Sequence, residues 1–152
     1  MSNCLRAWLV RSELFAYNVV RRDRWIAQQA LKLPAGTKVL DVGAGSCPYR
    51  HLFSHCEYRA QDLRPLQGEQ LRYGSYGHID YVSDLASIPV PGESFGAVLC
   101  IEVLEHHPES IKVVHELARI LQPGGTLILT APLGSASHQE PYHHGGVHPM
   151  VV

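Results

Sequence analysis

The stretch "VLDVGAGSCPYR", residues 39–50, runs from a short apolar strand through an acid straight into two glycines, then a cysteine and a proline. Glycine lacks a Cβ, so Gly43 and Gly45 let the backbone take left-handed turns and let another group approach it closely. A turn of that kind directly behind a buried strand suits a parallel sheet, where ligands gather outside the carboxyl ends of the strands. A dinucleotide fingerprint would require G-x-G-x-x-G, the third glycine bringing the next helix close to the strand. Pro48 stands at that third place, so the turn is not built in the usual way for a pyrophosphate.

Working outward, further short apolar segments follow: "EYRAQDL" (57–63), "IDYVSDL" (79–85), "FGAVLCIEV" (95–103) and "TLILTAP" (126–132), with "KVLDV" (38–42) as the first. Between the last two, "PESIKVVHELARILQPGG" carries Ile111, Val114, Leu117, Ala118 and Leu121 at helical spacing. Pro108 suits the first turn of that helix and Pro123-Gly124-Gly125 a stop. Ahead of the strands, Leu5 to Leu31 repeat apolar residues at near-helical spacing, predicting one long helix or two short ones closed by Pro34-Ala35-Gly36. Strands joined by crossover segments predict an α/β fold, a doubly wound, mostly parallel Rossmann-like sheet with helices on both faces. The expected division is a helical segment over 1–33 and the sheet domain over 34–152.

The carboxyl ends of the first four strands carry Asp41, Asp62, Asp84 and Glu102. Such an acidic rim repels a polyphosphate and favours a ligand with hydroxyls, an exocyclic amine and a positive centre.

Composition narrows the setting. At 152 residues and 45% hydrophobic the chain suits one compact domain with a core. A formal charge of −1 supplies no field to gather nucleic acid. Positive charge concentrates at the start, where five arginines and Lys32 face only Glu13 and Asp23, a pattern of a solvated amphipathic helix or a basic docking surface. Cys4, Cys47, Cys56 and Cys100 form no C-x-x-C pair, which fits reduced thiols and a cytoplasmic setting. No apolar run reaches the length of a membrane span.

The glycine turn, Asp62 nineteen positions after Gly43, the "SDL" turn, "VLEHHPE" and "ELARILQPGGTLILTAP" resemble, in this order, the class I S-adenosylmethionine-dependent methyltransferases, over about residues 35–145. The closest likeness is to the small-molecule group called type 11, which shares "LDVGAG", "EVLEH" and "L-x-PGG". The resemblance implies S-adenosylmethionine as cofactor and a small-molecule methyl acceptor. It places Gly43 and Gly45 against the methionine part and Asp41 near its amino group. Asp62, with Leu63 beside it, would receive the ribose hydroxyls. Asp84 would accept from the adenine amino group, with Leu85 bordering the ring, and Ile101 and Glu102 would line the methyl end. Asp41 and Asp84 also fit plain turn roles, and Glu102 fits a helix cap. Tyr17 is either a lid residue over the cofactor or an ordinary aromatic.

Two departures stand out: Gly96 occupies the place where the family usually has an aspartate, and His106-His107 is doubled. His106 and His138 are the candidate bases, with Glu140 and His143 bordering the acceptor pocket by resemblance. The histidine-rich tail offers no metal-ligand spacing of a known zinc type, so no metal is expected. Family members continue past the fifth strand with a helix and two more strands. The expectation is therefore a chain incomplete as an enzyme, or one that self-associates as a homo-oligomer through the exposed edge of its fifth strand. Two other readings stay open: a non-catalytic cofactor-binding or interaction domain, and a nicotinamide-type oxidoreductase.

Overall fold

The computed structural model describes residues 3–64, 66 and 68–131, with side chains from residue 17 onward. Contacts divide the chain into Met1–Leu33 and Pro34–Val152. The first unit is a single helix, α1 (Asn3–Ala30). Its exit tightens into short turns, Lys32 N–H donating to Gln29 O at 3.0 Å and Leu33 N–H to Ala30 O at 3.1 Å, before proline ends it. Within it Tyr17 is exposed and lies 5.6 Å beneath the Arg21 guanidinium. No helix among the described residues is long and apolar enough to cross a membrane.

The second unit is built on five parallel strands: β1 (Lys38–Val42), β2 (Glu57–Asp62), β3 (Tyr81–Val82), β4 (Phe95–Ile101) and β5 (Leu121–Thr130), in the order β3-β2-β1-β4-β5. This is the doubly wound α/β sheet that the alternation of strands and crossovers predicts. The crossovers are leaner than expected. The β4 to β5 connection holds α2 (Ser110–Ile120), while 3-10 turns at Arg50–Phe53 and Gly68–Gln70 serve the β1 to β2 and β2 to β3 connections.

Alternation along β1 and β4 sends Leu40, Val42, Val98 and Cys100 to one face, where they pack with Val113, Leu117 and Ile120 of α2 and with Leu85, Ile88 and Leu104 from the loops. The buried stripe of α2 is thus Val113-Leu117-Ile120, and Ile111 and Val114 of the expected stripe are exposed. Glu116 sets this phase: its carboxylate accepts Ile88 N–H at 2.7 Å and binds Arg119, whose guanidinium donates to the carbonyls of Ile88 and Val90.

Three boundaries differ from expectation. α2 begins after Pro108, with Glu109 at its N-cap. The third strand shrinks to Tyr81–Val82 because Asp80 turns back to bind Arg59 and the Ala60 N–H. The Pro123-Gly124-Gly125 stop falls inside β5, where pairing jumps from Phe95↔Leu121 to Ala97↔Thr126. Gly124 has φ +75°, and a methyl group on Gly125 would lie 2.9 Å from Gln122 O and 3.0 Å from Gly96 O. Gly96 lies at this bulge, which accounts for a small residue there.

Candidate cofactor site

With β2 and β3 on one side of β1 and β4 and β5 on the other, the winding reverses between β1 and β4, the point at which sheets of this kind form a ligand crevice above the carboxyl ends. Gly43 (φ +61°) sits at its base, and a methyl group on it would lie 2.6 and 2.7 Å from the two γ-carbons of Val103. The turn after β4 therefore fills the space that glycine leaves. Gly45 (φ +52°) is different, since a methyl group there would meet only Leu71 Cδ2 at 3.5 Å, an ordinary contact. The two glycines, given one role from the sequence, have separate causes.

Asp62 ends β2 almost fully buried. One carboxylate oxygen accepts Gly45 N–H at 2.9 Å and the other Arg64 N–H at 2.6 Å. Tyr76, its phenol pushed above the ordinary range mainly by burial, also hydrogen-bonds Asp62 and accepts Leu66 N–H at 3.0 Å. Its neighbour Leu63 is exposed. Gln61, buried beside it, accepts Gly43 N–H at 3.3 Å and donates through Nε2 to Ser83 O at 2.6 Å. A single glutamine so ties the loop after β1 to the turn after β3, a role that nothing in the sequence singled out.

Asp41 lies one residue back inside β1, 3% exposed, and Tyr58 OH donates to its Oδ2. Burial raises the Asp41 carboxyl to about 7; the Tyr58 hydrogen bond and Arg50 oppose this, and the Asp62 charge adds to it. Tyr58, in turn, is held far above the ordinary tyrosine range by burial and by Asp41. The Arg50 guanidinium stacks 4.6 Å over the Tyr58 ring and donates to His78 O at 2.8 Å.

The segment after β3 runs back toward β4, as the packing of Leu85 and Ile88 with Leu104 shows. Asp84 is exposed, Leu85 is buried, and Asp84 Oδ1 accepts Ala86 N–H at 2.7 Å in a local turn. At the end of β4, Ile101 pairs with Thr130, and Glu102 adopts φ +54°, unusual for a residue with a side chain, while its N–H donates to Thr130 O at 2.9 Å. His106 follows in the 3-10 turn Leu104–His106, its Nε2 3.8 Å from Oε1 of buried Glu105. His107 reaches Asp84 Oδ1 at 3.2 Å through Nε2. The sequence marked its doubling as odd but gave it no role; the available signal was a histidine directly behind an expected site loop. Asp62 is hydrogen-bonded directly to Gly45 and Gly43 to the adjacent Gln61, while Asp41 is hydrogen-bonded to Tyr58. His138, Glu140 and His143 lie outside the described residues.

The strand ends there bring together glycine backbone, the carboxylates of Asp62 and Asp84 and the turn after β4, acceptors that suit hydroxyls, an amine or a cation. The family profile described as a methyltransferase domain matches residues 40–129. The chain belongs to that family. A ubiquinone biosynthesis O-methyltransferase of Xanthomonas campestris pv. campestris is 38% identical over 126 residues, covering 77% of this chain and 51% of the relative. The chain thus spans about half the length of the curated relatives it matches. Among solved structures, the YcgJ protein of Bacillus subtilis is similar with TM-score 0.55 at 21% identity, over 70% of this chain and 49% of that one. The [4+2]-cyclase SpnF is similar with TM-score 0.54 at 22% identity, over 69% and 43%. These likenesses establish the Rossmann-like class I methyltransferase fold, and the cyclase shows that one fold carries more than one reaction.

Proposed function

We propose that the chain binds S-adenosylmethionine across the ends of β1 to β4 and serves methyl transfer to a hydroxyl on a small-molecule acceptor. The observation that carries this reading is the Asp62 carboxylate, fixed by Gly45 N–H and Arg64 N–H beside the crevice at the reversal point. Carboxylates so held present their remaining lone pairs to paired hydroxyls, as a ribose offers. Asp84 accepts from the adenine amino group, with Leu85 beneath the ring. Gly43 and Gly45 carry the backbone past the methionine part, and Ile101 and Glu102 border the methyl end. Asp41 acts through the loop, its buried carboxyl held by Tyr58 OH. The name of the Xanthomonas relative supports an oxygen nucleophile.

Bound S-adenosylmethionine supplies a methyl group already activated on a sulfonium. The residues therefore contribute alignment, worth about 7–11 kcal/mol of barrier when geometry is right. His106, whose Nε2 lies 3.8 Å from the buried Glu105, is the proposed base for the acceptor's proton, an effect of about 10²–10⁴-fold. His138 is a second proposed base.

Calorimetry tests the reading. S-adenosylhomocysteine should bind and NAD should not. Asp62→Ala should weaken binding by about 1–3 kcal/mol, the cost of leaving buried ligand hydroxyls without a charged acceptor. Heat with NAD alone, or unchanged affinity in a folded Asp62→Ala variant, overturns it. Because the match covers about half of the relatives, a second reading is a domain that binds the cofactor without turnover. Binding without methyl transfer identifies that case.

A further inference from the structure

The hydrogen bonds of His107 connect two loops that the sheet order keeps apart. β3 and β4 are separated by β2 and β1, yet His107 Nε2 lies 3.2 Å from Asp84 Oδ1. On the other side of the ring, Glu109 N–H donates to His107 Nδ1 at 3.1 Å. A ring nitrogen that accepts from a backbone N–H carries no proton, so the neutral imidazole must bear its hydrogen on Nε2. That hydrogen is the one directed at Asp84.

The His107 backbone is fixed as well, its N–H closing the 3-10 turn on Leu104 O at 3.2 Å. Only 15% of the imidazole is exposed, against 54% of the Asp84 side chain. An exposed aspartate, free to rotate on its own, is thus held by a shielded partner. Oδ1 receives both Ala86 N–H and His107 Nε2–H, and Oδ2 accepts no hydrogen bond among the described residues.

We propose that His107 is a positioning residue for adenine recognition: its tautomer, set by Glu109 N–H, fixes the Asp84 carboxylate so that Oδ2 is the oxygen offered to the exocyclic amine. The inference rests on the reading of Asp84 as the adenine acceptor. It predicts that His107 affects discrimination at the purine 6-position, not binding of the cofactor as a whole. Two donors on one oxygen remove the torsional freedom that an isolated aspartate would lose on binding.

Two substitutions separate the halves of the imidazole. His107→Asn keeps an acceptor near the Nδ1 position for Glu109 N–H but cannot reach Asp84. His107→Gln places an amide N–H near the Nε2 position and restores the donor. The probes are S-adenosylhomocysteine and S-inosylhomocysteine, which carries a 6-oxo group in place of the amine, each titrated by calorimetry into the whole chain. The parent should prefer the adenine probe. His107→Asn should weaken that probe about tenfold while shifting the 6-oxo probe by less than about twofold, and His107→Gln should keep the parental preference. Ring ¹⁵N shifts should report the Nε2–H tautomer. Equal weakening of both probes, no change in His107→Asn, failure of His107→Gln to retain the preference, or an Nδ1–H tautomer overturns the proposal. Asp84→Asn separates the underlying reading: if it leaves the parental preference intact, Asp84 is not the adenine acceptor. A parent that binds neither probe removes the cofactor reading and this inference together.

Discussion

Asp41 illustrates how burial changes what a side chain in a motif can do. Its carboxyl, raised to about 7 from an ordinary 3.8, holds its proton more tightly in the fold than in the unfolded chain. Its contribution is therefore complete below about pH 4 and is lost as pH rises through 7, up to about 4 kcal/mol for a shift of that size. Asp41→Asn keeps an acceptor for Tyr58 OH without the charge. The variant should be more stable than the parent at pH 8, with a flatter dependence of the urea midpoint between pH 5 and 8. A parent slope that survives in Asp41→Asn would assign the titration to another group. At this scale the sequence was legible where a residue type and a strand end coincide, as for Asp62. It was not legible for Gln61, whose role depends on a neighbour 18 positions away, and for His107 only the doubled histidine hinted at a partner 23 positions away.

Between elements, the base of the crevice is a contact of one glycine with one valine. Gly43→Ala would place a methyl group 2.6 Å from Val103 Cγ2 on a backbone at φ +61°. The left-handed conformation costs about 1–2 kcal/mol with a side chain, and the overlap about 1–3 kcal/mol more. Adding Val103→Ala should return the overlap share and not the backbone share, a coupling of about 1–3 kcal/mol in a double-mutant cycle of chemical unfolding. Strict additivity would mean that the two loops do not meet there. The strands themselves were readable as apolar runs broken by turns, and their parallel order followed. The phase of α2 was not, because Ile111-Val114-Leu117 and Val113-Leu117-Ile120 are both apolar and share Leu117. What decides between them is Glu116, drawn toward the sheet side by Ile88 N–H across 28 positions. β3 shortened for a similar reason, with Asp80 committed to Arg59 and Ala60.

For the molecule as a whole, every proposed cofactor contact in the described residues falls between Asp41 and His107, inside the span matched by the methyltransferase family. β1 and β4, which flank the crevice, lie inside the sheet and are paired on both sides. We propose that cofactor binding belongs to these strand ends, so that S-adenosylhomocysteine should bind the chain by itself in calorimetry. Acceptor recognition is another matter, because about half of that relative has no counterpart in the match. β5 adds a solution property. It pairs with β4 alone among the described residues, at Leu121 and over Thr126–Thr130, and we propose that its other edge pairs with a second copy. Sedimentation should show mass rising toward a dimer with concentration, with no accompanying gain in turnover. A monomer at every concentration rules out the edge pairing.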